Sequence, residues 1–460
     1  MKKQNELNMV SGPVAGAILR FSFPLMISAM LQIFFNAADT IVVGNFCGSV
    51  SMAAVGSNGS AISLITQLSI GLSVGTNVLV ARSWGRQHMD SVFRAVHSSM
   101  ALSLLLGIFT GAFGYAIAPE LLKLMQVPDN VLPLSVIYLR IYFLGIPATL
   151  VYNFGAAVLR AIGDTKRPLY FLTAAGIINV FANLFFVLVM DLDVAGVAIA
   201  TSLSQYVSAF LVVRCLMRLD NACRFSPKMM RLYKAETLEM LRIGFPAGLQ
   251  STIFNVSNVI IQSAINSFGS DVIAGSVAAG NLDNFVYVAM NAFYQAAVSF
   301  VSQNVGAGKP ERLPRIMWAC IGWAAFFGLC LGGDIFVFSN PLLSIYNREP
   351  AVIAAGKVKL LWIGVPYFLC GIMEVTCGTV RGLGRSWLPT IVSTIGSCVT
   401  RIIWIYTFFA KHRSFSVLCF SYPLSWTLTA AVHLLCALII MKKLKREYAP
   451  SSSQLPRFEY

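Results

Sequence analysis

Apolar residues in this chain gather in long unbroken runs, not in the two- or four-residue rhythms of a soluble strand or helix. Twelve runs stand out, at about 18–43, 52–81, 95–118, 132–158, 168–190, 194–217, 240–267, 274–304, 316–339, 354–379, 388–410 and 414–441. A helix needs roughly 20 apolar residues to cross the hydrocarbon of a bilayer, and every run has that length. The pattern predicts an all-α polytopic membrane protein with 12 transmembrane helices. Runs 52–81 and 274–304 exceed one span and are expected to tilt or protrude. No polar link is large enough for a soluble domain, and the longest, near 218–242, is expected to hold a short amphipathic helix.

Basic residues divide unevenly between alternate links. With the N-terminus and every second link inside, and with residues towards a run's ends counted to the adjoining link, the inner side holds 26 Lys and Arg and the outer side 7, which leaves Arg401 within a run. Lys2, Lys3, Arg381 and Arg457 count as inner, Lys357 and Lys359 as outer. The positive-inside rule then places both termini in the cytoplasm of a multi-pass protein of the cell (inner) membrane.

The runs also repeat. Leu19-Arg20-Phe21-Ser22-Phe23-Pro24 matches Leu241-Arg242-Ile243-Gly244-Phe245-Pro246, and Gly145-Ile146-Pro147 matches Gly364-Val365-Pro366. Gly85 and Arg94 match Gly306 and Arg315, and Arg160, Gly163 and Pro168 match Arg381, Gly384 and Pro389. The offset stays between 219 and 222, so the chain reads as an N-lobe at 1–217, a cytoplasmic linker at 218–239, a C-lobe at 240–441 and a cytoplasmic tail at 442–460. Six spans per half make the copies parallel repeats, and transporters so built bind cargo between halves that rock against each other. The matched prolines Pro24, Pro246, Pro147 and Pro366 have two readings: bends inside helices or plain helix ends.

Composition agrees with the bilayer. Hydrophobic residues make up 57% of the 460, charged ones only 12%, and mean hydropathy is +0.72, where a soluble domain carries about 25% charged residues. A net charge of +15 invites a nucleic-acid reading, but the basic residues lie in short gaps and form no continuous face. The 10 cysteines contain no Cys-x-x-Cys pair, so neither a disulfide nor a zinc framework is implied. Residues 1–20 lack the apolar core of a cleavable signal, and the first run is expected to stay as a helix.

Ionisable side chains inside a membrane are costly, which makes them functional candidates. They are Asp39, Asp283, Glu374, Arg401 and His433. Gln32 and Asn36 precede Asp39 at i−7 and i−3, so the three share a helical face suited to a wet cavity. A carboxylate in low dielectric is easier to protonate than one in water, which suits a group that takes and releases a proton. The plainer reading is an acid solvated at a helix end. Asn179 and Asn183 share a face at i, i+4, and Thr201 lies in the sixth run. With a carboxylate these form the hard-oxygen set that suits a small cation such as sodium, although such amides also serve simply to join helices. In the second half Asn255, Asn258, Gln262 and Asn266 form one strip, and Asn284, Asn291 and Gln295 another. Asp283, Glu374 and Arg401 either complete a charged cluster there or, for Glu374 and Arg401, neutralise each other. No Walker loop, His-Glu-x-x-His or dinucleotide fingerprint occurs. Energy is expected from an ion gradient or a partner, with no cofactor and no resident metal.

Across almost its whole length the sequence resembles the multidrug and toxic compound extrusion (MATE) family. The stretches that carry this are Asp39-Thr40-Ile41-Val42-Val43-Gly44, Gln303-Asn304-Val305-Gly306-Ala307-Gly308, Leu159-Arg160-Ala161-Ile162-Gly163-Asp164-Thr165 with its echo Val380-Arg381-Gly382-Leu383-Gly384, and Ala198-Ile199-Ala200-Thr201. The resemblance implies two six-helix bundles around a central cleft, exporting cationic or amphipathic drugs against inward H⁺ or Na⁺. It also implies an ion site in the first lobe: the family's first-helix aspartate matches Asp39, its paired amides Asn179 and Asn183, and its sixth-helix threonine Thr201, with Na⁺ passing transiently through the first three. The sodium-coupled branch carries a seventh-helix glutamate where this chain has Ile253-Phe254-Asn255, and a tenth-helix aspartate that falls near Cys370. The chain therefore resembles more closely the branch that relies on the first-lobe aspartate.

The expectation is a secondary active exporter, not an enzyme, working as a monomer on drug-like small molecules among membrane lipids. Cargo is expected to meet Gln32, Asn36, Asn255, Asn258, Gln262, Asp283, Asn284, Glu374 and Arg401. The alternative is a flippase for a lipid-linked precursor, which needs several cleft cations to hold a pyrophosphate. A membrane enzyme would need a sizeable catalytic loop, and the links are short.

Overall fold

The computed structural model describes residues 6–448. Lys2, Lys3, Arg457 and the end of the expected tail lie outside the described residues. Within them the chain is helical nearly throughout, as lipid requires, since a helix satisfies every backbone hydrogen bond within its own segment. Eleven helices are long and apolar enough to cross a membrane: α1 Val14–Phe46, α2 Gly48–Gly85, α3 Met89–Leu124, α4 Leu132–Ala161, α5 Lys166–Val189, α6 Asp193–Met217, α8 Ser270–Gly306, α9 Pro310–Val337, α10 Pro350–Gly382, α11 Trp387–Phe409 and α12 Phe415–Glu447. The twelfth, α7 Lys234–Asn266, has 33 residues and thus the length. It falls short in hydropathy because Gln250, Ser251, Thr252, Asn255, Ser257, Asn258 and Gln262 crowd its middle.

Packing divides the chain into two compact units. The N-unit takes in Pro24–Val80 and His88–Thr252 with Glu6 and Leu7; the C-unit takes in Asn8–Phe23, Ala81–Gln87 and the described residues from Ile253 on. Three helices change unit along their length: α1 at Pro24, α2 after Val80 and α7 after Thr252.

Pro24, Pro147 and Pro246 lie inside their helices, so the helix-end reading fails for all three. Ser28 Oγ donates to the Pro24 carbonyl at 2.8 Å, supporting the turn after the proline. Small residues permit close crossing, the usual device where lipid supplies no hydrophobic drive between helices. In the N-unit a methyl group on Gly75 would overlap the Met240 carbonyl, and one on Gly244 the Leu72 carbonyl, so α2 and α7 meet backbone to backbone. In the C-unit Gly85 and Gly306 face each other's helix in the same way, through the carbonyls of Gln303 and Arg82. The repeat is also visible in the turns after α4 and α10, where matched Gly163 and Gly384 take φ of +90° and +84°, a region side chains disfavour.

The expected amphipathic helix in the linker is not there. Among the described residues 218–233 form only the short 3-10 turn Pro227–Met229. The segment is tied down instead by single bonds: Ser226 N to His97 Nε2 at 3.1 Å, Tyr233 N to Ser98 Oγ at 2.9 Å and Asn221 Nδ2 to Glu6 Oε1 at 3.0 Å. Pro227 and the many side-chain partners favour an extended path over a helix.

Candidate functional site

Asp39 is held where four helices of the N-unit meet. Just beyond it on α1, Val42 and Val43 pack with Tyr138 of α4, Val187 of α5, and Val194, Val197 and Ala198 of α6. One turn before it, Phe35 fills the space left by Gly176, where a methyl group would overlap the ring. These apolar contacts clamp α1 on both sides of its carboxylate and fix the carboxylate's place.

The structure brings together all four members of the predicted ion set. Asp39 Oδ1 accepts from Asn183 Nδ2, which also donates to Asn179 Oδ1 at 3.4 Å. Thr201 Oγ1 lies 3.4 Å from Asp39 Oδ2, but its hydrogen goes to the nearer Val197 carbonyl at 2.9 Å. The Asn183 Oδ1 is buried and accepts no hydrogen bond. Asn179 and Asn183 are buried, and Asp39 is half-buried. One carboxylate thus shares a small volume with amide and hydroxyl oxygens, a donor set that fits a proton or a sodium ion. The amide of Asn183 can serve either state, offering N–H to a carboxylate or its oxygen to a carboxylic acid. Tyr138 lies near enough to feel the Asp39 charge, a neighbour that periodicity did not pick out.

Gln32 and Asn36 are exposed on α1, and no side-chain hydrogen bond joins them to Asp39 among the described residues; the Asn36 carbonyl accepts from Thr40 at 3.1 Å. On α7, Asn255 is half-buried, Asn258 and Gln262 are exposed, and Gln262 donates to Asn266 Oδ1 at 3.0 Å along its own helix.

Among the described residues no hydrogen bond or ion pair joins Asp283, Glu374 and Arg401 into the expected cluster. Asn284 is exposed while Asp283 beside it is buried, because successive helical residues point about 100° apart. Arg401 is buried against aromatic faces, its guanidinium carbon 4.1 Å from the Tyr422 ring centre and 5.7 Å from that of Trp426, with Nε donating to Ser425 Oγ at 2.8 Å. Glu374 does not pair with it; the charge that registers on Glu374 is that of Arg381, whose Nη1 donates to the Tyr294 hydroxyl at 2.6 Å. Buried His433 joins Ser393 Oγ at 2.9 Å.

Two basic residues counted as loop residues belong inside. Arg381 is 4% exposed. Lys359 lies on α10, with Nζ donating to the Ser276 carbonyl at 2.8 Å. Both stand within a few residues of a run's edge, where a count of loop charges cannot separate a solvated side chain from one folded back along its helix.

Comparison with known proteins places this architecture. The model of the MatE family matches residues 24–185 and again 246–407, so the duplication is the family's own. The probable multidrug resistance protein YpnP of Bacillus subtilis (strain 168) is 30% identical over 394 residues, 86% of this chain and 88% of that protein. A protein of Shewanella oneidensis described as an FAD transporter is 25% identical over 84% of this chain and 86% of its own length. Among solved structures, an outward-facing multidrug resistance MATE family transporter of the MOP superfamily superposes with a TM-score of 0.89 at 22% identity, over 97% of this chain and all of that one. The fold is therefore that of a multi-pass membrane transporter. The chain belongs to the MatE family.

Proposed function

We propose that this protein is an ion-coupled exporter of amphipathic or cationic drug-like compounds, with Asp39 as the group that exchanges cargo for H⁺ or Na⁺. The observation that carries the reading is the joining of Asp39, Asn183, Asn179 and Thr201 in one polar site clamped within apolar helices. The multidrug names of several relatives support the cargo class. When Asp39 is charged, it draws on Asn183 and on a cation; when it is neutralised, that demand falls and α1 is free to shift about Pro24. Coupling rests on the N-unit acid, as in the branch the sequence resembles, since the sodium-coupled branch's two second-lobe acids fall at Ile253-Phe254-Asn255 and near Cys370, one turn from Glu374. Exposed amides at Gln32, Asn36, Asn258, Gln262 and Asn284 are the natural cargo contacts. The chain works as a monomer in the cell membrane with both termini cytoplasmic. A pyrophosphate flippase is not favoured, because Arg401 is committed to Tyr422, Trp426 and Ser425.

The test is dye efflux in inverted vesicles, energised separately by a pH gradient and by a sodium gradient. One of the two is expected to drive export. Equal export with neither gradient would refute the ion-exchange mechanism.

A further inference from the structure

Asp283 has no part in the Asp39 set and lies wholly within the C-unit. It is 5% exposed on α8, and among the described residues neither carboxylate oxygen accepts a hydrogen bond. It stands 13 residues in from Ser270, about 20 Å along a helix axis. An ionised carboxylate so placed is costly, and proteins relieve the cost by neutralising the group or pairing it.

One cation is within reach and stops short of pairing. Lys359 of α10 extends to α8, where Nζ donates to the Ser276 carbonyl at 2.8 Å and to Ser276 Oγ at 3.3 Å. A methyl group on Gly280 would stand 3.0 Å from that nitrogen. Ser276, Gly280 and Asp283 follow one another at i, i+4 and i+7, on one face of α8. The ammonium is thus held one turn before the carboxylate. From the other side a methyl group on Gly364 would stand 3.1 Å from Asp283 Oδ1. Gly364 ends the π-helical turn Leu360–Gly364, which starts directly after Lys359 and runs up to Pro366. Such turns mark places where a helix can change register.

Among the described residues the charge that registers on Asp283 is that of Lys359. The other ionisable groups in its field are Tyr367 of α10 and Cys419 and Tyr422 of α12, none of them a cation.

We propose that Asp283 is a second proton-binding site, lodged in the C-unit, with Lys359 as a built-in counter-ion that displaces the proton. With Nζ on Ser276, the carboxyl group holds a proton and the couple carries one positive charge. With Nζ moved one turn onto Asp283, the proton leaves to water and the couple is neutral; Lys359 remains an ammonium in both states. The ligand is a proton and not sodium, because a metal ion would meet the positive charge of the neighbouring ammonium. The inference deepens the ion-exchange reading and rests on it only for its consequence in transport, an added proton per cycle.

The experiment takes infrared difference spectra of the full-length protein in lipid, between acidic and alkaline buffers, with no cargo and no gradient. A carbonyl band of a protonated carboxylic acid is expected in the wild type, lost in Asp283→Asn and retained in Asp39→Asn. Asp283→Glu should move the band's frequency and so assign it even if the asparagine variant folds poorly. Lys359→Met should displace the pH at which the band appears, since a neighbouring cation favours the carboxylate. If Asp283→Asn and Asp283→Glu leave every acid band unchanged, Asp283 is permanently ionised beside Lys359 and the proposal fails. If Lys359→Met leaves the band's pH unchanged, the counter-ion role fails. Wild-type efflux indifferent to any ion gradient would sink the antiport reading instead, while the band would still stand.

Discussion

The two units are matched by one family model twice over, yet they treat buried charge in opposite ways. Around Asp39 the N-unit gathers amides, a hydroxyl and a phenol, and among the described residues no basic side chain pairs with the carboxylate. In the C-unit, among the described residues, three such charges lie close to an internal partner: Asp283 feels the Lys359 ammonium held one turn away, Glu374 feels Arg381, and Arg401 rests on aromatic faces. An acid without a built-in counter-ion must recruit one from solution, and its state follows the ions outside. In the switch proposed for Asp283, an acid with a lysine close by toggles internally and is closed to metal cations. Duplication supplied one scaffold, and the placing of a few charges gave the copies different electrostatic work.

The harshest test of that contrast is Asp39→Asn. It keeps the volume and removes the charge, so gradient-driven efflux should fall to the level of vesicles lacking the protein while membrane insertion is unchanged. Efflux of wild-type size in this variant would mean that the recruited ion sits elsewhere.

Next in size is Arg401→Met, aimed at stability and not at transport. The guanidinium rests 4.1 Å from the Tyr422 ring centre and bonds Ser425. A desolvated cation–π contact is worth about 2 kcal/mol, and a hydrogen bond to a charged group about 1.5–3 kcal/mol. Thermal unfolding in detergent should show a loss of about 2–4 kcal/mol, partly offset because methionine needs no desolvation. Drug specificity of the surviving protein should stay the same; a change in specificity would return Arg401 to the cargo contacts.

A smaller effect, and a sharper one, is expected from Asn183→Leu. This removes the donor to Asp39 and an unpartnered buried oxygen together. Hydrogen bonds to charged groups contribute about 1.5–3 kcal/mol, so sodium coupling should lose roughly 10- to 100-fold in half-saturating sodium concentration. Proton coupling should survive with a displaced pH profile, because a carboxyl group needs no second ligand to hold a proton. Efflux rates measured against sodium and against pH separate the two.

The N-unit site was legible in the sequence because lipid makes polar residues conspicuous: Asp39, Asn179, Asn183 and Thr201 each interrupt an apolar run, and helical spacing put the two amides on one face. The spans were legible for the same reason, with α7 the least apolar because its strip of amides dilutes it. What stayed hidden depends on side-chain direction. Lys359 and Arg381 stand near run edges, and whether such a residue turns outward or back along its helix is decided by partners on other helices, Ser276 and Tyr294. Asp283 and Asn284 are neighbours in sequence but point to opposite environments. The linker helix was expected from polarity alone, and His97 and Ser98 instead hold that segment extended.

The mildest change tests whether the exposed amides of α7 differ in kind from the buried charges. Gln262 is exposed and its side-chain partner is on its own helix: Nε2 donates to Asn266 Oδ1 at 3.0 Å. Gln262→Ala therefore removes a neutral hydrogen bond in a wet setting, about 0.5–1 kcal/mol, and should leave folding untouched. If the amide meets cargo, KM for a given dye should rise roughly two- to fivefold with the maximal rate unchanged, the mark of a contact made equally throughout the cycle. A collapse of the maximal rate with KM intact would instead make the α7 strip part of the moving machinery, and the division of labour between recruiting and self-answering charges would have to include neutral amides.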